Sequence, residues 1–225
     1  MIVSDQRTSH LHTDKPHRGI NLFNDTKKIL NNILLLPLEL LIEIIAHLAL
    51  PDILTLCRTN KLLRRMLMTR TVATLDLWRM AIQNIPGLPQ CPKELTEPQY
   101  AALIYSQHCM VCGTGTTEPM DPYLNARMCQ KCIEVHVVDV EEIKPESIRA
   151  LVPQSAATTP RACRYLTKTC LLRDKESAEA WHGELYKRQL TRQEIRVEIS
   201  QMTDSILERL RYGKEMTQFL RMSRV

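Results

Sequence analysis

Four cysteines carry the clearest chemistry in the sequence. Cys109 and Cys112 form one C-x-x-C pair, Cys129 and Cys132 a second, and sixteen residues separate the pairs. Tetrahedral zinc needs four thiolate or imidazole ligands converging on one point, and each C-x-x-C turn delivers two sulfurs from a single tight loop. The spacing predicts a four-cysteine zinc site, with Gly113 easing the first turn; His108 and His136 lie near enough in the chain to replace a thiolate. Four thiolates close the coordination sphere, whereas a catalytic zinc keeps one position open for water and has a base close by. Glu118, Asp121 and Glu134 stand in no arrangement of that kind. The metal is therefore read as structural, a staple for a loop region with too few apolar residues to fold without it.

The compartment decides whether cysteines pair with one another or with a metal. The first 25 residues contain no apolar run of signal-peptide type, and no stretch of about 18 apolar residues could span a bilayer. The eight cysteines are then expected to stay reduced, in the cytoplasm or the nucleus, which favours a metal site over disulfides. Cys57 and Cys91 have no partner cysteine in sequence, and Cys163 and Cys170, seven apart, read as core thiols on one helical face.

The elements that must position this cluster are helical. Aromatic residues make up 4% of the chain and glycine is scarce, so the composition favours a mainly α fold. The formal net charge of +5 is mild, and both signs alternate along most of the chain. A nucleic-acid binder is usually more basic. The loop between the cysteine pairs offers Tyr123, Asn125, Arg127 and Lys131 against Glu118 and Asp121, which is little footing for phosphate. A zinc-ribbon nucleic-acid-binding protein is the alternative reading.

Residues 1–30 mix polar residues with His10, His12 and His17 and read as a flexible arm without assigned function. From Lys28 the character turns apolar. Pro37 suits the first turn of a helix, and Leu40, Leu41, Ile44, Ile45 and Leu48 recur at spacings of three and four behind it. Pro51 breaks that helix, with Asp52 as N-cap of a second carrying Ile53, Leu54 and Leu56. Leu62, Leu63, Met66 and Leu67 mark a third, and Leu75, Leu77 and Trp78 close the unit. A bundle this small cannot readily bury so many large apolar side chains on itself.

The order and spacing of Leu36-Pro37-Leu38-Glu39-Leu40-Leu41, Glu43-Ile44, His47-Leu48, Asp52-Ile53-Leu54, Lys61, Arg64 and Leu77-Trp78 resemble an F-box. The resemblance implies a helical module over residues 31–83 that docks onto a Skp-type adaptor of a cullin-RING ubiquitin ligase. The rest of such a chain selects the target protein to be ubiquitinated, and the chain itself is no enzyme. The adaptor-facing positions it implies are Leu36, Pro37, Leu41, Ile44, Ile45 and Leu48. The order of box, proline-punctuated connection and paired cysteines also resembles F-box proteins of basidiomycete fungi.

Beyond the box, Pro86, Pro89, Pro92 and Pro98 punctuate a connection over residues 84–108, leading to the metal-binding module at 109–138. The C-terminal region, 139–225, has no proline after Pro160. There Ile195, Ile199, Met202, Ile206 and Leu210 form a seam near the coiled-coil period, which predicts one long helix ending near Gly213. Trp181 reads as packing on a helix face.

Overall fold

The computed structural model describes residues 35–158, 160, 168–185, 187–188 and 190–223. The N-terminal arm and Cys163 lie outside the described residues. The chain divides into two compact units, Met1–Leu41 and Ile42–Val225. In the first, Pro37 O accepts from the Leu41 amide at 3.1 Å, at the start of helix α1, Leu38–Ala46, whose residues from Ile42 on belong to the second.

The second unit is mainly helical. Helix α2, Leu50–Thr59, starts at an Ala49 N-cap with Pro51 in its first turn, so Asp52 sits inside the helix and not at its cap. A proline there lacks only an amide hydrogen that would be unpaired anyway. Helix α3, Lys61–Met68, is capped by Asn60, whose side chain accepts from the Leu62 amide. Helix α4, Val72–Gln83, begins at a reciprocal Thr71–Thr74 capping box. These helices bury Leu50, Ile53, Leu54, Cys57, Leu63, Leu67, Leu77 and Trp78, and the Trp78 indole N–H donates to Leu67 O at 3.0 Å.

The proline-punctuated connection ends in a helix. Helix α5, Glu97–Tyr105, carries Pro98 in its first turn behind a Thr96–Gln99 capping box, and it packs against α2 and α4 with Tyr100, Ala101, Leu103 and Ile104 buried. The prolines before it fix the approach: Tyr100 donates its hydroxyl to Pro89 O at 2.6 Å.

Helix α6, Gln130–His136, forms the second cysteine turn with its first residues and runs directly into strand β1, Val137–Asp139. Strand β2, Thr169–Leu171, pairs antiparallel with it, Val138 opposite Cys170. Cys170 is thus a buried thiol on a strand, not on a helical face. The long C-terminal helix expected from the Ile195–Leu210 seam is α8, Arg192–Ser223, and a separate helix α7, Leu172–Leu185, precedes it. Thr191 caps α8 by accepting from the Glu194 amide, while Glu194 accepts from the Thr191 amide and hydroxyl. Trp181 packs on α7 as expected, and its indole N–H donates to Glu198 of α8 at 3.0 Å. Helix α8 runs past Gly213 instead of ending there. No helix among the described residues is long and apolar enough to cross a membrane.

Candidate functional site

The cysteine pairs meet. The sulfurs of Cys109, Cys112, Cys129 and Cys132 all lie within 4.8 Å of one another, and Cys112 Sγ is 3.7 Å from Cys129 Sγ. Four thiolates around one zinc at bonds of about 2.3 Å would stand about 3.8 Å apart. The donor set and its spacing fit a tetrahedral metal ion.

Local backbone explains the convergence. In the first turn the Gly113 amide donates to Cys109 O at 2.9 Å, with Gly113 at φ +73°, a conformation that costs glycine nothing. The Cys109 amide donates to Thr114 O at 2.8 Å, and the Met110 amide to Arg127 O at 2.9 Å, which ties the first turn to the segment leading into the second. In the second, Cys129 is the N-cap of α6 and its carbonyl accepts from the Cys132 and Ile133 amides. Cys109, Leu124, Ala126, Met128, Ile133, Val137 and Leu171 form a small core, with Cys129 and Cys132 packed against it. Three of the four ligands, Cys109, Cys129 and Cys132, therefore belong to this apolar cluster or pack against it, while Cys112 is exposed.

The thiols differ in acidity. The hydroxyl and the amide of Thr114 lead in lowering Cys112 to about 6. Burial raises Cys109, but amides of Cys112, Cys129 and Val111 outweigh it and the thiol lies below its ordinary value. Burial, then the neighbouring cysteines, push Cys132 up to about 12. Four sulfurs this close cannot all carry charge alone; a shared divalent cation removes the conflict.

Neither histidine joins the cluster. His108 Nδ1 lies 3.0 Å from Ser106 Oγ, which also accepts from Arg58 Nη2 at 2.9 Å. This relay links α2 to the first cysteine turn. Arg127, offered by the sequence to phosphate, is spent inside the protein. Its guanidinium donates to Leu103 O and Ile104 O at the end of α5 and to Glu118 O at 3.0 Å. That bonding removes one of the two cations on which the nucleic-acid reading stood. Charge-assisted bonds of this kind contribute about 1.5–3 kcal/mol, so Arg127→Ala is expected to cost at least about 2 kcal/mol in urea unfolding. A surface cation would cost almost nothing.

Among the six positions implied for adaptor binding, Leu41 and Ile45 are buried, Pro37 and Ile44 are exposed, and Leu36 and Leu48 lie between. In the second unit Ile44 is 49% exposed and Leu62 of α3 54%.

A run of short capped helices with large apolar residues left on the surface is the form of a helical docking module. Residues 33–71 match the family model of the F-box domain, so the chain carries an F-box. An F-box implies a protein that binds a Skp-type adaptor of cullin-RING ubiquitin ligases, and F-box proteins are typically non-catalytic adaptors. No curated protein and no solved structure matches the chain.

Proposed function

We propose that this protein is an F-box substrate adaptor. It binds a Skp-type protein through Leu36, Pro37, Leu41, Ile44, Ile45 and Leu48 and brings a target protein to the ligase for ubiquitination. The target is held by the part beyond the box, in which zinc at Cys109, Cys112, Cys129 and Cys132 is structural. It works in the cytoplasm or nucleus, where thiols stay reduced and free to hold zinc.

The observation that carries the reading is the F-box match at 33–71. Support comes from large apolar side chains of the box left exposed in the second unit, Ile44, Leu62 and Met68. Exposed apolar surface within one module is what a partner covers. The relay Arg58–Ser106–His108 and the packing of α5 on α2 and α4 tie the box to the metal-binding module. A target held by that module would keep a fixed place relative to the box.

The test is co-expression with a Skp-type adaptor, followed by affinity capture. A stable complex is expected. Capture of the folded protein without the adaptor would refute the proposal.

A further inference from the structure

The loop between the two cysteine turns does more than connect them. Its tip is a tight hairpin in which Asp121 and Ala126 exchange backbone hydrogen bonds of 2.7 and 3.3 Å. Asp121 Oδ1 accepts from the Tyr123 and Leu124 amides at 2.9 and 3.0 Å, and Asn125 takes the left-handed φ of 48°. Leu124, fully buried, anchors the tip in the same small core that holds Cys109 and supports Cys129 and Cys132. The shape of the tip thus depends on the cysteine turns at both of its ends.

On its other side the tip meets α8 at two points. A Cβ on Gly213 would stand 2.5 Å from Tyr123 Cδ1 and 2.7 Å from Cε1, so only glycine lets the helix lie on this ring. One turn earlier, Arg209 is 8% exposed. With its amide turned, Asn125 accepts from Arg209 Nη1 while its own NH2 donates to Pro122 O at 3.2 Å. The ion pair of Arg209 among the described residues is with Glu94 at 3.6 Å, and its Nε has no partner there. Without the tip, a buried guanidinium would be left with one long ion pair, which disfavours burial. The exposed Lys93–Glu208 pair contributes little. Contacts of this stretch that do not involve the tip include the Arg209–Glu94 pair, the tilted Tyr100–Tyr212 ring pair and the 3-10 turn Glu146–Leu151.

We propose that the tip of this loop is the cradle of the C-terminal helix, and that metal in the cysteine cluster controls its docking. Metal loss slackens the tip and frees residues 209–219, uncovering Met216 and Phe219. The inference rests on the metal reading given above. Linkage makes it reciprocal: whatever factor metal adds to helix docking, docking adds to metal affinity.

The test uses the full chain loaded with zinc. A chelator is added stepwise, released zinc is measured, and amide hydrogen exchange is followed in residues 209–219 and, as a reference, in the box helices at 50–83. Chelation is expected to raise exchange at 209–219 and leave 50–83 protected. Gly213→Ala is expected to raise the same exchange at full zinc occupancy and to weaken zinc affinity on the order of tenfold. Adding Tyr123→Ala, which removes the clash, should recover much of both. Zinc leaving with exchange at 209–219 unchanged overturns the coupling, as does loss of protection throughout 50–83 together with it. A freed helix with unaltered zinc affinity in Gly213→Ala overturns it too. Purified protein without zinc overturns the metal reading and this inference together, so metal content separates the two failures.

Discussion

Cys112→Ser is expected to strip the protein of its metal and to destabilise the module around it, although the side chain replaced is exposed. Substitution of an exposed residue that does no more than face water changes stability by within about 0.5 kcal/mol. A structural zinc site in a small module contributes about 10–16 kcal/mol of folding free energy. Three remaining thiolates keep part of that, and a loss above about 3 kcal/mol is the expected outcome. The measurements are metal content, falling from about one zinc per chain, and thermal unfolding. A wild-type protein free of metal, with Cys112→Ser equally stable, would show that the four sulfurs meet only as packing.

The second large effect lies on α1. Ile44→Asp places a carboxylate where an adaptor would cover it, and the charge must then be desolvated without a partner. Adaptor affinity is expected to fall at least about a hundredfold, close to 2.8 kcal/mol. Because Ile44 is 49% exposed, the fold should tolerate the change. Leu41 and Ile45 are buried, so the same substitution there would confuse lost binding with lost folding. Circular dichroism of Ile44→Asp beside wild type checks this.

The F-box and the meeting of the four cysteines were legible in the sequence because each depends on spacing within a short stretch. Two C-x-x-C turns bring their own geometry, and the tertiary fold had only to bring them together. The box likewise announces itself through prolines and an apolar period local to each helix. The break before α8 was missed, although Thr191 and Glu194 form the Ser/Thr-x-x-Glu pattern of a helix start. Gly213 was not. A glycine near a helix end reads as a stop, and here it answers a tyrosine ring ninety residues earlier in the chain. Arg127 was misread for the same reason: the carbonyls it satisfies belong to α5, and no local pattern connects them. The strand pair formed by Val137–Asp139 and Thr169–Leu171 is three residues long on each side, too short for an alternating pattern to stand out.

The central claim is that this chain is an adaptor that docks through its F-box. Calorimetric titration of the zinc-loaded protein with a purified Skp-type adaptor, wild type beside Ile44→Asp, tests it most directly. The account predicts saturable binding by wild type and its loss in the folded variant. A folded, zinc-loaded wild type that binds no such adaptor, or a variant that binds it equally well, would contradict the account.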